Sequence, residues 1–183
     1  MDFSTYIKLW LKHIPKRTKL FDTRAKSIFD IDFSQLKKEG FQLIIFDVDD
    51  TIDDFLGEIS QRSIDFLKSL QEMGFKLGAF SNSKPKRTAY LSELFPKVGI
   101  YNVVRSDKPN PAGYLEIMSH YKIGPNETIM LGDKVGTDMF GAYNAGIKHK
   151  ILVEPFSHVF GGKKAKSIDR FVRNIEKLFS SKN

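Results

Sequence analysis

The 183-residue chain contains no cysteine, and its apolar runs fall well short of the roughly 20 residues that a membrane-spanning helix needs. The first absence excludes disulfide frameworks and cysteine-based metal or redox centres, and it is compatible with a reducing compartment. The second predicts a soluble or peripheral protein. The N-terminus also lacks the basic-then-apolar order of a secretory signal, so the expected location is cytoplasmic, with the inner face of a membrane as a place of peripheral contact. There is no internal repeat, no low-complexity segment and no recognisable nucleic-acid-binding motif. The four histidines, His13, His120, His149 and His158, are scattered, which reads as surface or core side chains rather than as ligands. Without a secretory signal, Asn126-Glu127-Thr128 reads as a helix-to-strand turn rather than a glycosylation acceptor.

An apolar content of 41% is enough for one core, so a single domain with short extensions is expected. The net charge of +7 is unevenly spread, with residues 1–26 carrying +5, residues 163–183 carrying +5 and the remainder −3. The sequence therefore divides into a basic amphipathic extension over 1–26, a core over 27–162 and a basic C-terminal helix within 163–183. Basic ends on an acidic core suit an anionic surface, either membrane or nucleic acid, and the oligomeric state stays open. Over residues 3–14, Phe3, Ile7, Trp10, Leu11 and Ile14 recur at helical spacing opposite Lys8 and Lys12, and Pro15 ends the pattern. That stripe fits a helix lying in a membrane interface or one packed on the protein's own core.

After a small apolar cluster of Ile28, Phe29, Ile31 and Phe33, strand and helix patterns alternate. Strands read at 42–47, 76–81, 102–104, 128–132 and 148–153, and helices at 60–73, 84–95, 111–121, 135–145 and 166–179. This order implies an α/β fold with a central parallel sheet covered by helices on both faces.

Four strand ends in turn carry the residues that phosphoryl transfer requires: Asp47-Val48-Asp49-Asp50-Thr51, then Ser81-Asn82, then Lys108-Pro109, then Gly132-Asp133 with Asp138 following. Each alone reads equally as a turn or a cap. In Asp47 and Asp49, two carboxylates one residue apart at a strand end point the same way if the strand continues, and such a pair needs a cation.

Together these segments, from about residue 41 to 153, resemble the four motifs of the haloacid dehalogenase-like (HAD) superfamily. The resemblance implies a Rossmannoid three-layer αβα sandwich and a Mg²⁺-dependent phosphatase. It makes Asp47 the nucleophile that forms an aspartyl-phosphate, and Asp49 the general acid and base. Ser81, Asn82 and Thr51 would meet the phosphoryl group, helped by backbone donors near Ser83-Lys84. Lys108 would bridge phosphoryl and Asp47. Mg²⁺ would lie on Asp47, the backbone carbonyl of Asp49 and Asp133, while Asp138 either supports Asp133 or a metal-bound water, or caps the following helix. About thirty residues separate Thr51 from Ser81 and fewer separate Ser81 from Lys108, so no cap domain fits and large substrates are admitted.

Within the uncapped members (subfamily IIIA), the chain is most similar to YqeG-like and phosphatidylglycerophosphate phosphatases. The residues that carry this are Lys26-Ser27-Ile28-Phe29-Asp30-Ile31, Ser81-Asn82 with Lys86-Arg87, Arg105-Ser106-Asp107-Lys108-Pro109, and Gly132-Asp133 with Thr137-Asp138. A phospholipid head group at an anionic membrane is the implied substrate. The alternatives are a soluble phosphoester, a phosphoprotein or a nucleic-acid end, or an idle binding module. Asp50 stands where these relatives usually have Asn, and adds an anion beside the site.

Overall fold

The computed structural model describes residues 20–54, 58–82, 85–104 and 107–160. The expected helices over 3–14 and 166–179, and Ser83, Lys84, Arg105 and Ser106, lie outside the described residues.

Six strands form one parallel sheet: β1 (Thr23–Ala25), β2 (Leu43–Phe46), β3 (Lys76–Ser81), β4 (Tyr101–Val104), β5 (Thr128–Gly132) and β6 (His149–Val153), in the order β1-β6-β5-β2-β3-β4. β2 sits between β5 and β3, and all four of its residues are buried, as a strand covered on both faces must be. Its alternation sorts the core into two layers. Ile44 and Phe46 pack with Leu67, Leu70, Leu91 and Phe95 on one face. Leu43 and Ile45 pack with Phe80, Tyr114, Ile117 and Phe140 on the other.

The first layer is supplied by α1 (Phe33–Lys38), α2 (Gln61–Glu72) and α3 (Pro85–Lys97), and the second by α4 (Ala112–Tyr121) and α5 (Phe140–Asn144). In α2 the buried Ile64, Leu67 and Leu70 recur at helical spacing, and the Ser60 hydroxyl caps the start by accepting from the Ser63 amide at 3.3 Å. Gly78 lets α4 lie close against β3, because a Cβ there would stand 2.3 Å from Ile117 Cγ2.

Among the described elements without a counterpart in the sequence pattern are β1 and α1. β1 falls in the stretch whose charge groups it with the basic extension. It is three residues long, largely exposed, and held at the sheet edge by Lys150, whose carbonyl accepts from the Asp22 amide at 2.8 Å and whose ammonium lies 3.1 Å from the Asp22 carboxylate. α1 arises from part of the small apolar cluster, because Asp32 accepts from the Gln35 amide at 2.9 Å and so starts a helix that buries Phe33 and Leu36. The expected helix at 135–145 is also divided, into a π-helical turn over Val135–Met139 followed by α5. Between β2 and β3 the described residues hold only α2, and between β3 and β4 only α3, so no cap is inserted at either place.

Candidate active site

At the carboxyl end of β2 the ladder continues for one more bond, from the Asp47 amide to the Leu131 carbonyl at 2.9 Å. The chain then leaves the strand. The Val48 carbonyl accepts from the Thr51 amide at 3.3 Å and the Ile52 amide at 3.0 Å, and Asp50 sits at φ 67, a left-handed conformation that Asp and Asn tolerate better than most residues. This turn separates Asp47 and Asp49, which a continuing strand would have kept on one face. Asp47 joins a buried cluster with Asp133 and Asp138, while the Asp49 carboxylate meets Arg87 of α3 at 3.0 Å.

Asp50 is not a loose anion beside the site. Its Oδ1 accepts from the Ser157 amide at 3.0 Å and its carbonyl from the Phe156 amide at 2.8 Å, so it caps the short helix α6 (Phe156–Val159).

The centre of the site is Lys108. Its ammonium, 2% exposed, donates to Asp47 Oδ1 at 2.5 Å, Asp138 Oδ1 at 2.7 Å and the Phe80 carbonyl at 2.9 Å, which uses all three N–H bonds. Burial alone would lower its pKa, but the Asp138 and Asp47 charges outweigh that and hold the ammonium well above its usual range. The Asp47 carboxyl is pushed up to about 7, chiefly by burial and with the help of the Asp138 and Asp133 charges, against the lowering pull of Lys108 and Lys134.

Asp138 is held from both sides. Its Oδ2 accepts from the Lys134 amide four residues earlier at 3.0 Å, and the Tyr114 hydroxyl donates to its carbonyl at 3.2 Å. Gly132 leaves the room, since a Cβ there would lie 2.5 Å from Asp138 Cβ. Asp138 thus closes the turn that precedes it rather than capping the helix that follows, which starts without a side-chain cap, and it also orients Lys108.

The other sequence-predicted residues gather around this cluster. Ser81 is buried as the last residue of β3. Thr51 is buried, with its hydroxyl 3.5 Å from Asp133 Oδ1, which also accepts from Lys134 Nζ at 3.2 Å. The Asn82 side chain clasps the Lys108 backbone, accepting from its amide at 3.2 Å and donating to its carbonyl at 3.4 Å. Arg87 and Tyr114 had no role in the sequence reading. No local pattern marks Tyr114, which lies on a helix distant in sequence from the motifs it supports, and Arg87 stood only as part of a resemblance.

Asp47, Asp133 and Asp138 offer carboxylate oxygens that lie within 4.8 Å of one another. Three buried carboxylates against Lys108 and Lys134 leave excess negative charge, and hard oxygen donors suit a hard divalent cation, so the donor set fits one.

Asp53 closes the loop from the other side. Its carboxylate accepts from the Ser60 amide at 2.6 Å and the Asp54 amide at 2.9 Å. Burial raises its pKa, yet the Ser60, Asp54 and Ser63 hydrogen bonds prevail and lower it. A lowered folded-state pKa contributes stability above the unfolded value that is lost as pH falls through the folded one. Asp53→Ala is therefore expected to cost about 1–3 kcal/mol at neutral pH, with the gap from wild type narrowing as the solution is acidified below the carboxylate range. Urea unfolding at several pH values measures this, and a gap constant down to pH 3 would contradict it.

The sequence profile of the haloacid dehalogenase-like hydrolases matches residues 58–152, just over half of the chain, a span that includes Ser81, Lys108, Asp133 and Asp138. The chain is 28% identical over 167 residues to "Probable phosphatase YqeG" of Bacillus subtilis, a match covering 91% of this chain and 92% of that protein. It is 34% identical over 87 residues to glyceraldehyde 3-phosphate phosphatase of Methanopyrus kandleri, covering 44% of this chain and 37% of that one. Among solved structures, an uncharacterized protein from Listeria monocytogenes superposes with a TM-score of 0.51 at 15% identity, over 65% of this chain and 94% of that one, which is a likeness of fold.

Proposed function

The chain belongs to the haloacid dehalogenase-like hydrolase family and is a phosphatase, and from that premise we propose that it is a Mg²⁺-dependent phosphomonoesterase that dephosphorylates phosphatidylglycerophosphate at a membrane surface. The observation that carries the chemistry is Asp47 held at 2.5 Å by Lys108 within a buried acidic cluster.

Asp47 attacks phosphorus through a carboxylate oxygen while the bond from phosphorus to the leaving oxygen breaks, and Asp49 gives that oxygen its proton. Water then attacks the aspartyl-phosphate, Asp49 takes the proton, and the bond from phosphorus to Asp47 breaks to release phosphate. Lys108, kept charged and directed by Asp138, offsets the repulsion between Asp47 and the incoming phosphoryl group. Ser81 and Thr51 line the phosphoryl position, and Asn82 keeps the Lys108 loop in place. Asp47, Asp133 and the Asp49 carbonyl would hold Mg²⁺, with Asp138 in the same cluster. When bound, the ion supplies charge neutralisation between nucleophile and phosphate.

Three features support the lipid substrate: a site with no inserted cap, the basic ends of the chain, and the motif resemblance to phosphatidylglycerophosphate phosphatases. Among the described residues no helix is long and apolar enough to cross a membrane. Basic residues near an anionic leaflet contribute about 1 kcal/mol each, screened by salt, so several together could retain the protein there.

The test is a panel of phosphoesters, with phosphatidylglycerophosphate in mixed micelles beside glyceraldehyde 3-phosphate, each with Mg²⁺ and with EDTA. Turnover should require Mg²⁺, return after EDTA when the ion is restored, and favour the micellar lipid. The double change Ile7→Ala with Trp10→Ala should lower lipid turnover and vesicle binding more than hydrolysis of a small soluble ester. Preference for the soluble ester, with no effect of anionic vesicles, would move the substrate assignment to a soluble metabolite; full activity in EDTA would remove the metal.

A further inference from the structure

We propose that Arg87 is the positioning residue for Asp49, fixing its carboxylate where it serves the leaving group; this rests on the reading of Asp49 as general acid and base. The turn that starts at Val48 takes Asp49 out of the six-stranded sheet, leaving its backbone a single bridge to Asp53, so the sheet does not direct its side chain. Arg87 supplies the direction instead, from 38 residues away in sequence, with its Nε donating to Asp49 Oδ1 at 3.0 Å. The two side chains are only 14% and 11% exposed, so solvent competes weakly for either.

Arg87 is itself held. Its guanidinium lies over the Tyr90 ring, 5.4 Å from the centroid, and Arg87 and Tyr90 are neighbours one turn apart on α3. The Tyr90 hydroxyl accepts from the Ile59 amide at 3.0 Å, and the next amide, that of Ser60, donates to Asp53. Asp53 is in turn bridged to Asp49 and gives its carbonyl to the Asp50 amide at 2.9 Å. The first two turns of α3 therefore grip the loop between β2 and α2 at two places, Arg87 through the Asp49 carboxylate and Tyr90 through the Ile59 backbone. A planar guanidinium held on one side has a fixed Nε–H direction, and that direction sets where the carboxylate sits. A general acid acts only within hydrogen-bond reach of the leaving oxygen, and a displacement of about 1 Å costs on the order of a hundredfold.

The consequence is specific to the leaving group. Nitrophenolate departs without a proton, whereas an alkoxide does not, so a misplaced Asp49 penalises alkyl esters more. The test compares kcat/KM, which reports phosphoryl transfer rather than the later hydrolysis, for p-nitrophenyl phosphate and glycerol 3-phosphate. In Arg87→Ala the alkyl-to-aryl ratio should fall about tenfold or more. Arg87→Lys, which keeps the charge but not the planar fork, should fall between wild type and Arg87→Ala, and it carries the test if Arg87→Ala fails to fold. Asp49→Asn should shift the ratio the same way and further, and adding Arg87→Ala to it should change the ratio little. If Asp49→Asn leaves the ratio unchanged, the acid–base reading itself fails. If Asp49→Asn shifts the ratio while the Arg87 variants lower both esters alike or neither, Arg87 is not the positioning residue.

Discussion

Asp47→Asn is expected to abolish turnover, by about 10⁴-fold or more, the order of loss seen when a covalent nucleophile is removed, while the fold persists. The amide has nearly the same shape and its oxygen can still accept from Lys108, so the bond at 2.5 Å is replaced rather than vacated. What disappears is the nucleophile and one negative charge. The sign of the stability change follows from the raised Asp47 pKa. A carboxyl pushed up to about 7 by burial is more easily protonated folded than unfolded, so its ionised form opposes folding as pH rises through that range. The metal-free Asp47→Asn protein should accordingly melt at the same temperature as wild type or higher at pH 8, with the advantage fading toward pH 5. Residual turnover near the wild-type level would end the aspartyl-phosphate mechanism. A large loss of melting temperature at pH 8 would mean that the Asp47 charge is needed for Lys108 more than burial opposes it.

Lys108→Met should remove activity and stability together. It withdraws the cation from two buried carboxylates, Asp47 and Asp138, and breaking a buried ion pair by deleting one partner costs about 3–5 kcal/mol. At roughly 2–4 °C per kcal/mol for a domain of this size, the melting temperature should fall by roughly 10 °C. A second change separates the two losses. Adding Asp138→Leu removes one of the stranded carboxylates and replaces part of the ion cluster with apolar groups, an exchange that is often neutral or favourable. The double variant should therefore recover part of the stability and none of the activity. If it recovered activity, Lys108 would be structural only; if Lys108→Met alone melted like wild type, the cluster would not be the linked unit described. Calorimetry with steady-state kinetics on the same preparations makes both comparisons.

The parts of the site that could be read in the sequence are those placed by local pattern. Leu43-Ile44-Ile45-Phe46, Leu77 to Phe80 and Ile129-Met130-Leu131 are apolar runs too short for helices, and a strand buried on both faces puts the next polar residue at its end. Asp47, Ser81 and Asp133 followed directly. Asp49 was legible as a residue but its surroundings were not, because the alternation rule stops where the chain turns at Val48. Asp50 was legible as an anion and not as a cap, since its partner amide at Ser157 lies 107 residues away.

The sequence by itself determined the α/β class, the order of its central strands and helices, the missing cap and the set of polar strand ends, because each depends on periodicity and punctuation within a few residues. Only the tertiary structure decided that Asp138 directs Lys108, that Tyr114 and Gly132 make room and support for Asp138, that Arg87 takes the Asp49 carboxylate, and that a three-residue polar segment closes the sheet edge as β1. Apart from Gly132, which lies close to Asp138 in sequence, each of these is a contact between segments far apart in the chain, set by how the layers pack. Side chains of ordinary type there carry no local signal until the sheet brings their partners within reach.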